Sequence, residues 1–348
     1  MKFRIAAAAL ALSLAVPFTA SADTPANGIG GIAVSPDGKT VLAAGDTRVV
    51  YVLDAATMEV KDRVYTGTTV VWMTYRQDGK VVFARDTSGV LTAVDTSTFK
   101  PVWQLKGTQT ADYALAANLL AVTVRKKYNE YLARTIDANT FETKSETALP
   151  VKFYPRGQGI SIDGLKMVVT SSSRRVKDEE RKRPPSDMRG LERNVFRHKH
   201  DQYGSQIAQI DLTTGQTEIT DSWWYSSRPK HIHVTMGGAT VLGYTSDNAT
   251  IAPSGEVTMI DAGSRSQYSA MTMPAGDAYV IGAMRQISLK KAGSDSAQVF
   301  KLKRMAGWPE YVLRFTTGPN GKIYASTNAY RVIVLDPAAG TIKAHAVY

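Results

Sequence analysis

From residue 31 onward the chain alternates short apolar runs with turn residues. Residues 31–64 read GIAVSPDGKTVLAAGDTRVVYVLDAATMEVKDRV. The run IAV stops at Pro36-Asp37-Gly38, TVLAA follows, VVYVLD ends in a second Asp-led turn, and EVKDRV closes the unit. Short β-rich runs bounded by Gly, Pro and Asp predict four antiparallel strands. One such sheet cannot bury both of its faces alone. The pattern returns in residues 72–105, where Asp78-Gly79 lies 41 residues after Asp37-Gly38. Asp54 and Asp95 each follow their own turn Asp by 17 residues.

Weaker copies fill the rest. Residues 113–147 carry Asn118 near a turn and Asp137 at the later one. A fourth unit starts at Gly159 with ISIDGLKMVVTSS, breaks off, and resumes as IAQIDLTTGQTEIT with Asp211. A fifth reads HIHVTMGGATVLGYT, then EVTMIDAG with Asp261. The sixth spans about residues 270–302, with Ala275-Gly276 at its turn, and the seventh carries Asn320-Gly321 and Asp336. Seven units predict one all-β domain over residues 23–348. The expected architecture is a seven-bladed β-propeller of four-stranded antiparallel blades, about 40 residues each. A closed ring covers both faces of every sheet and leaves only short edges. The first and last units each hold four strands, so strand exchange at the closure is not evident, and residues 23–30 remain available to pair with the last blade.

The residues Ser35-Pro36-Asp37-Gly38-Lys39, Gln77-Asp78-Gly79-Lys80, Val50-Tyr51-Val52-Leu53-Asp54 and Val332-Ile333-Val334-Leu335-Asp336 resemble the YVTN-type family of bacterial seven-bladed β-propellers. The resemblance covers nearly all of residues 23–348 and implies an exported chain, often a binding platform. It is specific for fold and weak for activity, because this architecture hosts many functions. The third and sixth units depart from the pattern.

Composition adds a compartment and a charge. Lys2 and Arg4 precede an apolar run over residues 5–16, and Ala20-Ser21-Ala22 supplies small residues for cleavage before Asp23. That is the pattern of a secretory signal peptide over residues 1–22. No later segment is apolar enough to span a membrane, so a periplasmic protein without an integral span is expected. The chain has no cysteine, which excludes disulfides, thiolate metal sites, c-type haem attachment and cysteine nucleophiles. The formal charge is +11, and losing Lys2 and Arg4 leaves +9. A basic exported protein suits an acidic protein partner or an anionic ligand, although charge alone can serve solubility.

The recurrent aspartates Asp54, Asp95, Asp137, Asp211, Asp261 and Asp336 are expected to accept backbone N–H groups inside Asx-type turns rather than to do chemistry. Departures from the repeat carry more information. Residues 173–203 interrupt the fourth unit between its second and third strands with ten Lys or Arg against six Asp or Glu. This is either a solvated excursion or a docking arm that presents Arg181, Lys182, Arg183, Arg189, Arg193 and Arg197 to a partner. The loops entering the first strands read KFYPRGQG, WWYSSRPKHIH and MAGWPEY. They bring Tyr154, Arg156, Trp223, Trp224, Tyr225, Arg228, Lys230 and Trp308 toward one mouth of the channel, while Arg76 is expected at the other end. Cations among aromatics suit an anionic or planar ligand; ordinary packing between blades explains the same residues. His231 and His233 share a strand face. Aligned on the repeat, His233 stands in a column with Ala33, Thr74 and Ser161. A hydrogen-bonded histidine between blades, a ligand contact, or a Zn or Cu site completed by His198 and His200 all remain open.

No hydrolase elbow, zincin motif, P-loop or dinucleotide fingerprint occurs. The leading expectation is a non-enzymatic, monomeric binding or scaffold propeller with no cofactor. Alternatives are single-stranded nucleic acid binding, a lactonase-like hydrolase or dehydrogenase heavy subunit using His231, His233 and Arg228, and metal handling by the histidine pairs.

Overall fold

The computed structural model describes residues 28–347 except 162, 172–173, 176–181, 190–191, 194–195, 197–202, 224–230, 235–239, 244–247, 252–256, 261–266, 275, 295 and 304–308. The chain is an all-β propeller of four-stranded antiparallel blades. A blade count gives six, one fewer than the repeat predicts, whereas the hydrogen-bond ladders separate seven sheets.

The first sheet is typical. Its strands Gly31–Val34, Thr40–Ala44, Val49–Asp54 and Val60–Tyr65 pair in chain order. The first two are almost wholly buried, and the fourth is largely exposed. That gradient follows the sequence: GIAV and TVLAA face neighbouring sheets on both sides, while VKDRVY meets solvent at the rim. Apolar side chains therefore pack between sheets. Ala33, Leu42 and Val50 of the first meet Val70, Met73 and Val82 of the second. Phe83 and Leu91 meet Leu120 and Val122 of the third, and Phe153, Ile160 and Val169 of the fourth meet Ala121 and Tyr131. Full burial of such side chains contributes about 1.5–3 kcal/mol each.

Among the described residues the ends meet without strand exchange. Val34, Tyr51 and Leu53 of the first sheet pack with Tyr324, Val332 and Val347 of the last. Residues 28–29 thread between them: Gly28 N–H donates to Asp46 Oδ2 (3.0 Å), Tyr330 Oη donates to Asp46 Oδ1 (2.9 Å), and Ile29 N–H donates to the Thr327 carbonyl (3.1 Å). Gly45 allows this passage, since a Cβ there would stand 1.8 Å from the Gly28 carbonyl oxygen.

The turn aspartates hold turns. Asp54 Oδ1 accepts the amides of Ala56 and Thr57, and Asp95, Asp137 and Asp211 repeat this geometry. Asn118, at φ 50°, takes the left-handed position that Gly fills in neighbouring hairpins. Two sequence alignments need correction. Val257–Ile260 is the fourth strand of the fifth sheet, not its third, and Asp261 lies outside the described residues; the sixth sheet starts at Gln267. Ser161 belongs to a turn, where its hydroxyl donates to Asp163 (2.5 Å) as Ser35 does to Asp37 (2.6 Å). The ladders place Gly159, Met271 and Thr316 beside Ala33, Thr74 and His233. With a methionine there, a bulky His233 is less exceptional than the alignment implied.

Up-and-down connectivity sends the first-to-second and third-to-fourth turns of every sheet to one face. The second-to-third turns and the sheet-to-sheet loops go to the other. Asp37, Asp54, Asp78, Asp95, Asp137, Asp163, Asp211 and Asp336 therefore share one face, while Asp46 and Asp86, in second-to-third turns, lie on the opposite one. The opposite face carries Arg48, Lys106, Arg125, Lys126, Lys127, Lys152, Lys182, Arg183, Arg189, Arg285 and Lys303 on its turns and loops. The same turn chemistry that shapes the hairpins thus polarises the ring.

Candidate functional site

The first strands of the sheets line a central channel, and all successive pairs but the second and third lie directly against one another. It holds a cavity of about 950 Å³, lined by residues of the first, second, third, fourth, sixth and last sheets. That volume suits a small molecule.

Three guanidinium groups reach it from three sheets: Arg85, Arg156 and Arg314. Arg85 is 8% exposed. Each stands toward the basic face. Arg85 pairs with Trp72 near the start of Val70–Tyr75, Arg156 is the second residue of Pro155–Ile160, and Arg314 is the third of Val312–Thr317. Trp72, Tyr75 and Phe315 add aromatic surface. Burial raises the Tyr75 phenol well above its ordinary pKa, so it stays neutral.

Halfway down, Gln158 ties two first strands together. Its Nε2 donates to the Ala121 carbonyl (2.6 Å), and its Oε1 accepts from Thr110 Oγ1 (2.6 Å). Deeper still is Asp112. Its Oδ2 accepts the Ile160 amide and its Oδ1 the Tyr113 amide, both at 2.9 Å. Four residues of strand separate Arg156 from Ile160, about 13 Å along the channel. Asp112 is half-buried and faces channel space three residues before exposed Leu115, with protein packed closely around its carboxyl. That desolvation pushes its pKa up to about 7 against the two hydrogen bonds, which pull it down. The channel therefore has a cationic entrance and one carboxyl that exchanges its proton near neutrality.

Of the residues expected at the mouth, Arg156 is in the channel. Tyr154 is not: its hydroxyl donates to Asn129 Oδ1 (2.6 Å), and its ring meets Tyr131 edge-on at 5.9 Å. Its phenol end is taken up in packing a neighbouring hairpin. Trp224, Tyr225, Arg228, Lys230 and Trp308 lie outside the described residues, as do Arg181, Arg197, His198 and His200. His231 and His233 fall on the first strand of the fifth sheet, paired with Gly243 and Val241. Lys182, Arg183 and Arg189 are exposed and Arg193 half-buried; Arg189 Nη1 donates to the carbonyls of Ser186 and Met188. The insertion joins the second and third strands of the fourth sheet, where Lys166–Ser171 pairs with Tyr203–Asp211. Arg76 is at the acidic face, holding Asp78 (2.7 Å) and the Ala138 carbonyl (3.0 Å). Among the described residues no cluster of His, Asp and Glu could hold a metal ion.

Arg85, Arg314 and Asp112 were missed from sequence. Each is a charged residue on an inner or second strand.

No family model matches this chain, and no curated protein does. Among solved structures, Kuenenia stuttgartiensis hydrazine synthase is similar at 14% identity with a TM-score of 0.62, covering 96% of this chain and 99% of that one. At that identity the likeness shows the propeller fold alone.

Proposed function

We propose that this chain is an exported, non-enzymatic binding propeller that takes a small anionic ligand into its central channel from the basic face. The observation that carries it is the convergence of Arg85, Arg156 and Arg314, from three different sheets, on one cavity. Three guanidinium charges gathered around one cavity raise the local concentration of anions and favour a carboxylate, sulfonate or phosphate there. The leader pattern of residues 1–22 supports export to the periplasm. Seven separately hydrogen-bonded sheets and the repeated Ser-Pro-Asp-Gly and Val-Leu-Asp residues support a seven-bladed ring of the YVTN type.

The test uses an anionic fluorophore, anilinonaphthalene sulfonate, against its uncharged analogue phenylnaphthylamine. The sulfonate should bind and the neutral ring system should not. Changing Arg85, Arg156 and Arg314 together to Gln should abolish sulfonate binding. Equal binding of both probes, or binding unaffected by the triple change, overturns the reading.

A second reading is favoured by Asp112. A channel carboxyl with a pKa near 7 can take or give a proton at working pH, as an acid–base enzyme needs. Hydrolysis of simple lactones by the wild-type chain, lost in Asp112→Asn, would select that reading.

A further inference from the structure

The basic face carries a second built feature, away from the channel. The second strand of the third sheet, Leu119–Lys127, and its partner Glu130–Asp137 are longer than their counterparts Thr40–Ala44 and Val49–Asp54. The extra three or so residues lift the Tyr128-Asn129 turn about 10 Å beyond the corresponding turn of the first sheet. The tip is Arg125-Lys126-Lys127-Tyr128, exposed throughout, with Tyr128 at 79%.

Two other segments are bonded onto this tip. The Arg125 amide donates to the Gly107 carbonyl (2.9 Å), which sets exposed Lys106 beside it. The Lys152 amide donates to the Asn129 carbonyl (2.9 Å) and the Leu149 amide to the Tyr131 carbonyl (3.0 Å). Val151, 69% exposed, and Lys152 are thereby held next to Tyr128. Tyr154 and buried Phe153 brace the underside. The result is a rigid knob rather than a loose loop. Lys127 is paired with Glu130 at 2.9 Å. Lys106, Arg125, Lys126 and Lys152 form no ion pair among the described residues.

We infer that this knob docks the propeller on an anionic lipid surface. An aromatic ring and a branched aliphatic chain, both exposed at the summit of a projection and ringed by cations, match the headgroup region. There the ring and the aliphatic chain sit at the polar–apolar boundary while the cations meet lipid phosphates. A single-stranded nucleic acid would use the ring for stacking but has no use for Val151 and needs a groove that tracks its backbone. A projection suits a plane better. Among the described residues the unpaired cations of the knob orient the approach, whereas on the opposite face Lys39, Arg76, Lys144 and Lys322 are paired with turn aspartates. This inference stands apart from the channel reading, because none of the knob residues lines the cavity.

The test is vesicle co-flotation of the full chain, every variant carrying the same N-terminal run. Wild type should bind vesicles of phosphatidylglycerol and phosphatidylethanolamine and should not bind phosphatidylcholine vesicles. Each cation near the surface contributes a factor of about five, so Lys126→Gln should weaken partitioning about fivefold and Lys126→Glu about 25-fold. Tyr128→Ala with Val151→Ser should also lower it severalfold. Raising salt from about 0.1 to 1 M, which cuts the screening length from about 10 to 3 Å, should release the protein. All these positions are exposed, so melting curves should be unchanged, and sulfonate binding in the channel should persist. Binding to neutral and anionic vesicles alike, indifference to the Lys126 and Tyr128 changes, or capture of an oligonucleotide or an acidic protein without vesicle binding each overturns the inference.

Discussion

Asp112→Asn isolates the most perturbed carboxyl of the channel. In the folded chain its pKa is about 7, against an ordinary 3.8. An acid whose pKa rises on folding keeps its proton at pH values where the unfolded chain has lost it. Its favourable contribution is complete below pH 3.8 and is lost as pH rises toward 7. At 1.36 kcal/mol per unit the full span is roughly 4 kcal/mol, and access of channel water to the carboxyl reduces this to about 2–4 kcal/mol. The hairpin aspartates act in the opposite sense. Asp95, for example, is held at about 2 by the Ser97 hydroxyl and the Thr98 amide, so its contribution is present above pH 3.8 and lost on acidification. That background is common to wild type and variant and cancels in their difference. The carboxamide introduced by Asp112→Asn cannot ionise, although its NH₂ group forfeits an acceptor for the Ile160 or Tyr113 amide at a cost of about 1–3 kcal/mol. The variant should therefore be the less stable protein near pH 4. The gap should close or reverse by about pH 8, a relative gain of about 2–4 kcal/mol. Urea unfolding followed by tryptophan fluorescence across that range measures it. Parallel stability curves for the two proteins would refute the buried-carboxyl argument.

Two further changes probe the ring itself. Glu310 is fully buried and grips Arg331 through both carboxylate oxygens, while its carbonyl accepts the Arg285 amide of the preceding sheet. Glu310→Gln leaves a nearly buried guanidinium without its counter-charge and should cost about 3–5 kcal/mol in urea unfolding; a loss under about 1 kcal/mol would show the pair to be dispensable. Gly45→Ala places a methyl group on the Gly28 carbonyl, which must push residues 28–29 out of the seam between first and last sheets. Faster hydrogen exchange at Ile29 and Asp46 should follow, with the second and third sheets unaffected; unchanged exchange at the seam would mean that the passage is not tight.

Much of this molecule was legible in the chain alone, because a hairpin's chemistry is local. Asp-Gly pairs supply the left-handed turn position, alternating apolar runs supply strands, and Asp followed by Thr closes the later turn. The repeat of those signals announced the propeller, the place of the insertion and the structural role of the aspartates. Boundaries failed where the local signals were weak. In the fifth unit VTMI is apolar enough for any strand position, and only pairing with Asn248–Ile251 made it the fourth strand. Tyr154 looked like a ligand contact because its loop leads to the channel; a hydrogen bond to Asn129, 25 residues earlier, drew it into packing.

What required the tertiary structure was convergence and sidedness. Arg85, Arg156 and Arg314 are far apart in sequence and meet only because the first strands share a channel. Asp112 is an ordinary aspartate until the fourth sheet packs against it and strips part of its hydration. The net positive charge is a plain count in the sequence. Its concentration on one face follows from up-and-down connectivity, which sends the aspartates of the first-to-second and third-to-fourth turns to the opposite side. Local chemistry chose the turns, and topology then decided where their charges went.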